Sequence, residues 1–112
     1  MIAIELLEKY GAVKKRYDKA STIFDEGKLP THYYQILSGE VKMNNYNDDG
    51  REFIQGFFYE NQSFGEPPLF INRVYPASAV AVENTELICI TKECFLELLA
   101  NNPAISLKII EN

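Results

Sequence analysis

The chain has 112 residues, of which 46% are hydrophobic and 24% charged, and a formal net charge of −5 at pH 7. That length suits one domain with a hydrophobic core and not two, and the composition excludes a disordered chain. Apolar runs such as Phe57–Tyr59 and Leu87–Ile90 fall far short of the roughly 20 residues a bilayer requires, and an acidic balance argues against gripping nucleic acid phosphates.

At the N-terminus, Met1–Glu5 shows no basic stretch followed by an apolar core and a cleavage site, so a cytoplasmic location is expected. Ile2, Leu6, Leu7 and Tyr10 recur at helical spacing and Gly11 follows, which predicts a short amphipathic helix within residues 1–11 closed by a glycine cap. The basic cluster Lys14-Lys15-Arg16 reads as a solvated loop or strand end. Between 13 and 90 the pattern is one of short β-rich runs punctuated by Gly27, Gly39, Gly50, Gly65 and Asn84, the rhythm of a sandwich or barrel.

The predicted strands follow from that punctuation. Ser21–Asp25 supplies a short run around Ile23 and Phe24, and Asp25–Lys28 turns the chain. His32–Leu37 and Val41–Tyr46 flank the turn Ser38-Gly39-Glu40, and Asn47-Asp48-Asp49-Gly50 closes a hairpin onto Arg51–Tyr59. In that last strand both alternating faces carry apolar residues, so cover on each side is expected. Asn61-Gln62-Ser63 matches a glycosylation acceptor but suits a plain turn. Phe64–Phe70 contains Pro67 and Pro68, which lack the N–H a ladder needs, so a special loop is expected there. Ala77–Val82 and Glu86–Ile90 complete the β section. Thr91 is positioned to cap a helix carrying Phe95, Leu98 and Leu99, and Asn102-Pro103 begins a further helix with Ile105, Ile109 and Ile110 on one side. Those isoleucines suggest either the beginning of a longer helix or an element that pairs with another chain.

The chemistry available is sparse. Cys89 and Cys94 lack metal-ligand spacing and His32 is the one histidine, so neither a metal-dependent cupin nor an iron–sulfur sensor can be assembled from this chain. Cys89 fits a core strand and Cys94 a packed helix position. With no nucleophile–base pair and no glycine-rich triphosphate loop, an enzyme is not expected.

In order and spacing, Ser21–Gly27, Tyr33–Val41, Phe64-Gly65-Glu66 and Phe95–Leu99 before Asn102-Pro103 resemble the cyclic nucleotide-binding domain of the cyclic-AMP receptor protein and FNR (Crp/Fnr) family of transcription regulators. The resemblance covers nearly the whole chain. It implies a mainly β fold with flanking helices, a double-stranded β-helix or jelly-roll-like β-roll over 13–90, and C-terminal helices over 91–112 that start a dimerisation helix. It further implies a small-molecule effector such as cyclic AMP, a homodimer through the C-terminal helix, and DNA contact by a downstream helix-turn-helix in a parent regulator rather than by this segment.

Within the resemblance, Gly65 and Glu66 correspond to the Gly-Glu pair of the phosphate-binding cassette, with Glu66 at the ribose-hydroxyl position. Its carboxylate either accepts that hydroxyl or pins the loop through backbone N–H groups. The family's phosphate-binding arginine, followed by serine or threonine about ten residues further on, would grip the anion bidentately; Pro76 and Ala77 stand there instead. Pro67, Pro68 and Pro76 also remove backbone donors. Two substitutes are conceivable: Arg73 turned inward, and the Ser78 hydroxyl if the alignment slips by one residue. Val41, Phe53, Phe57 and Leu69 could form apolar walls or simply fill a sandwich core. Two functions stay open: a sensor with an altered phosphate cassette, and a degenerate β-roll that binds nothing and serves as a dimerisation or interaction module.

Overall fold

In the computed structural model, residues 1–106 are described, and they form two four-stranded antiparallel sheets with three short helices and a helical turn over 103–106. Helix α1 (Ile4–Lys9) precedes β1 (Val13–Tyr17), β2 (Thr22–Phe24), β3 (His32–Ser38), β4 (Glu40–Tyr46), β5 (Glu52–Tyr59) and β6 (Ser63–Phe64). Helix α2 (Glu66–Ile71), β7 (Ser78–Ala81), β8 (Thr85–Thr91) and α3 (Lys92–Asn101) follow. One sheet has the order β1-β8-β3-β6 and the other β2-β7-β4-β5.

Strands β3 and β8 of the β1-β8-β3-β6 sheet are covered on both faces, which explains why each carries apolar residues on both rather than on alternate positions. Inward, Tyr34, Ile36, Leu87 and Cys89, with Phe64 of the same sheet, meet Phe24, Val41 and Ala79 of the facing sheet and Tyr75 from the segment before β7. Outward, Tyr33, Ile88 and Ile90 meet Leu7 of α1, Leu69 of α2 and Phe95, Leu98 and Leu99 of α3. Each such side chain contributes roughly 1.5–3 kcal/mol when fully removed from water. The spacing Phe95, Leu98, Leu99 is the apolar stripe that docks α3, and the Thr91 hydroxyl accepts the Cys94 N–H at 3.3 Å as its N-cap.

A buried amide ties the N-terminal segment to this layer. Gln35 is completely buried; its Oε1 accepts the Ile2 N–H at 3.2 Å and the Tyr33 hydroxyl at 2.8 Å, and its Nε2 donates to the Ile2 carbonyl at 2.8 Å. At the β3–β4 turn, Gly39 has φ +102°, and a Cβ there would fall 2.4 Å from Thr85 Oγ1 and 2.7 Å from Thr85 Cα. Only glycine permits that approach of the hairpin to β8.

Two expectations are corrected. Strand β5 is not covered on both sides: it is the edge of its sheet, and Phe53 (51%), Phe57 (44%) and Tyr59 (50%) are exposed while Phe58 turns inward. A register shift between Met43 and Asn44, where β4 pairs with β5, breaks the simple alternation on which that expectation rested. The proline stretch is not a loop throughout, because Glu66–Ile71 is helical. Pro67 and Pro68 lie in its first turn, where backbone N–H groups have no intrahelical partner to lose.

Lys14-Lys15-Arg16 lies on exposed β1, with Arg16 3.5 Å from Glu86. Beyond α3, Ile105 packs partly buried against the helix-side core. Ile109 and Ile110, on which the dimerisation expectation rested, lie outside the described residues. Among the described residues, no helix is long and apolar enough to cross a membrane, and no three histidine, cysteine or acidic side chains gather as a metal would need.

Candidate functional site

Among the described residues, a cavity of about 730 Å³ opens between the β2-β7-β4-β5 sheet and the segment from Phe64 to Pro76. Its size is that of a small-molecule site. The sheets contribute Met43 from β4, Phe58 from β5 and Phe64 from β6. Pro67, Pro68 and Ile71 of α2, with Val74 and Pro76 after it, supply the opposite wall. The charged residues on this wall are Glu66 and Arg73.

Glu66 is placed by the glycine before it. Gly65 takes the left-handed conformation, φ 76° and ψ 17°, as the N-cap of α2. Behind it, Phe24 and Tyr75 stack with ring centroids 3.6 Å apart and planes 5° from parallel. A Cβ on Gly65 would lie 3.1 Å from one Phe24 ring carbon and 3.2 Å from a Tyr75 ring carbon. The aromatic stack and the absent side chain together fix where the helix, and hence the carboxylate, begins. At the other end of α2, Asn72 is left-handed with φ 53°, and the Lys92 ammonium donates to its side-chain oxygen, joining α2 to α3.

One carboxylate oxygen, Glu66 Oε1, is closed off from solvent and has no hydrogen-bond partner among the described residues. A buried acceptor left unmatched costs about 1–3 kcal/mol, more when charged, and marks a place where a partner is wanted. Two tyrosines feel its charge. Tyr75 is pushed up to about 12, by burial first and by the Glu66 charge second. Tyr33 is also raised well above the ordinary phenol range, chiefly by burial, opposed by a Ser63 hydrogen bond and reinforced by Glu66. The Tyr33 hydroxyl is already committed to Gln35.

Of the residues singled out from sequence, Gly65, Glu66, Pro67, Pro68, Arg73 and Pro76 come together on the cavity wall. Arg73 keeps an exposed side chain there and makes no ion pair among the described residues. Ala77 and Ser78 stand off the wall: Ala77 is buried, and the Ser78 hydroxyl accepts the Glu26 N–H at 2.9 Å. Among the four apolar candidates, Val41 and Leu69 belong to the two cores and Phe53 and Phe57 face solvent, so none lines the cavity. Met43, Phe58, Phe64, Ile71 and Val74 were not foreseen. The opposite phase of the β5 alternation would have found Phe58; nothing local distinguishes the rest.

A smaller and polar recess of about 250 Å³ lies between Arg16–Asp18, Ser38 and Asn84–Glu86. Its groups are engaged internally, Asn84 Oδ1 accepting the Lys19 N–H at 2.9 Å and Glu86 meeting Arg16.

Comparison with known proteins bears directly on the larger cavity. A family model described as the cyclic nucleotide-binding domain matches residues 14–102, which include every residue of its wall. The cyclic AMP receptor protein of Thermus thermophilus is 31% identical over 93 residues, 83% of this chain and 43% of that protein. Among solved structures, the catabolite activator protein of Thermus thermophilus matches with TM-score 0.85 at 28% identity, covering 98% of this chain and 53% of its own. The sensor domain of the transcriptional regulator DNR from Pseudomonas aeruginosa matches with TM-score 0.82 at 27% identity, covering 96% and 71%. The mainly β, two-sheet architecture expected from sequence is the one these neighbours share. The chain spans less than half the length of that cyclic AMP receptor protein.

Proposed function

The chain belongs to the cyclic nucleotide-binding domain family, in the form carried by Crp/Fnr-type regulators, and on that premise we propose that it is an effector-sensing domain that takes a small molecule into the cavity above Glu66. It acts by binding rather than by catalysis. The observation that carries this reading is a 730 Å³, largely apolar cavity whose charged wall residues are Glu66 and Arg73. A cavity of that size with an apolar lining and a few polar groups suits a small molecule.

The phosphate cassette is altered. Pro76 and Ala77 stand where the family's arginine and hydroxyl residue are expected, so an anionic group would depend on Arg73, the cation on this wall. A cyclic nucleotide would accordingly bind weakly, with Glu66 accepting a ribose hydroxyl. DNA contact, in a regulator containing this domain, falls to residues other than these, because the acidic balance disfavours a phosphate-binding surface.

Calorimetry and thermal shift with cyclic AMP and cyclic GMP at millimolar concentration test the reading, with the Met43 methyl resonance followed as a reporter of the cavity. Weak binding that moves Met43 and is reduced by Glu66→Ala and Arg73→Ala is expected. Tight binding indifferent to Arg73 would overturn the altered cassette. If neither nucleotides nor a panel of small metabolites perturb Met43, the domain is a scaffold and not a sensor.

A further inference from the structure

We infer that the ligand class this cavity prefers is an apolar monocarboxylic acid, its hydrocarbon body held between the walls and its carboxylate left at the mouth on Arg73. This ligand class rests on the effector-binding reading above and narrows it.

Burial along the wall runs from a closed floor to an open mouth. Phe64 and Pro68 are buried, whereas Ile71, Arg73, Val74 and Pro76 are exposed. Met43, Phe58 and Phe64 face the proline and aliphatic residues of the opposite segment, so Glu66 and Arg73 alone bring polar side chains to the lining. Such walls give nothing back to a polar group stripped of water. They reward an apolar body by about fourfold in affinity for each methylene buried. Ile71 and Val74, two positions before and one after Arg73, are 64% and 49% exposed, and a hydrocarbon body reaching the mouth would cover them.

The two charges decide the head group and where it sits. Glu66 is half-buried and repels an anion that enters deep. The start of α2 is poor in backbone donors, because positions 67 and 68 in its first turn are both proline. The Arg73 N–H is spent on the Pro68 carbonyl at 3.2 Å. Its guanidinium, on an exposed residue and without an ion pair among the described residues, is open to an anion at the mouth. One guanidinium matches one negative charge. A phosphate monoester carries close to two, and the second would lie on the same wall as Glu66, whereas a carboxylate carries one. An exposed ion pair supplies a factor of at most about five, less than two buried methylenes. The body therefore supplies the affinity, and Arg73 supplies the orientation and the choice of head group.

A matched series tests this on the 112-residue chain: decanoate, decanol and decylammonium, which share a body and differ in the charge of the head. Affinities are measured by calorimetry below the micellar concentrations, and the Met43 methyl shift confirms that each compound enters the cavity. The expected order is decanoate, then decanol, then decylammonium, with decanoate ahead of decanol by about two- to fivefold at low salt. Octanoate, two methylenes shorter, should bind roughly an order of magnitude more weakly than decanoate. Arg73→Glu should reverse the order of the two charged compounds and leave the affinity for decanol unchanged, which also shows that the variant is folded. Decylammonium binding best to the unaltered chain, decanol matching decanoate, octanoate matching decanoate, or an order that Arg73→Glu does not change would overturn the carboxylic acid assignment and leave the effector reading standing. Failure of every compound to move Met43 overturns it as well, and the effector reading then survives only if the nucleotide or metabolite titrations do move that methyl.

Discussion

Replacing Gly65 with alanine should be among the most damaging single-methyl changes in the protein, and its cost can be separated into two parts. The first is conformational: φ is +76°, and an L-residue held in the left-handed region loses roughly 1–2 kcal/mol. The second is steric. The new Cβ would sit 3.1–3.2 Å from ring carbons of Phe24 and Tyr75, and those rings are stacked at 3.6 Å and only 8% and 3% exposed, so neither can yield alone. Overpacking of this kind costs about 1–3 kcal/mol. Gly50→Ala is the natural control, because Gly50 has nearly the same φ, +79°, with nothing within 4 Å of an added Cβ. It carries the first cost alone, reduced by about 0.4–1 kcal/mol of lost unfolded-state freedom that both variants share. Urea denaturation of the two variants should therefore show Gly65→Ala less stable than Gly50→Ala by about 1–3 kcal/mol at unchanged slope. Losses equal to within about 0.5 kcal/mol, inside the ordinary scatter for surface changes, would show that the stack does not brace the α2 entrance.

Gln35→Leu should strand the Ile2 N–H and carbonyl and the Tyr33 hydroxyl, costing about 2–4 kcal/mol by the usual price of unmatched buried groups; hydrogen exchange should accelerate in α1 first, and unchanged protection there would refute the anchoring role. Alkaline pH should unfold the protein through its buried acids. Tyr75 is raised from 10.0 to about 12 and Cys89 from 9.0 to about 11, both chiefly by burial, so the folded state holds protons that the unfolded state releases. Stability is then full below about pH 9, falls as each unfolded group ionises, and continues to fall until the folded values are passed. Tyr75→Phe should flatten the urea midpoint profile between pH 10 and 12, and an identical profile would refute the assignment.

Much of the fold was legible because its determinants are local. Glycine and Asn/Asp turns marked the strand ends to within a residue or two, and Asn47 closes the β4–β5 hairpin by accepting the Asp49 and Arg51 N–H groups at 3.0 and 2.8 Å. Thr91 capped α3 as its position implied. The β5 strand shows where local pattern runs out. Its residues are apolar on both faces, and only its place at the sheet edge, with a register shift against β4, leaves Phe53 and Phe57 in water and turns Phe58 inward. Pro67 and Pro68 ruled out a strand correctly, yet the same residues are compatible with a first helical turn, and the choice fell to Leu69 burying against Tyr33 and Phe95 in the helix-side core.

For the site the division is similar. The sequence alone established which chemical groups are available in the cassette: a Gly-Glu pair, three prolines and one nearby arginine, with no arginine at the position where the resemblance places it. It could not establish that Glu66 would lie near Tyr33 and Tyr75, or that Met43 and Val74 would share a wall with it. Turn chemistry and capping are settled among residues a few positions apart, so they are written in the order of the chain. A cavity wall is settled by which sheet covers which face, and that depends on pairing between strands such as β4 and β7 that meet across more than thirty intervening residues.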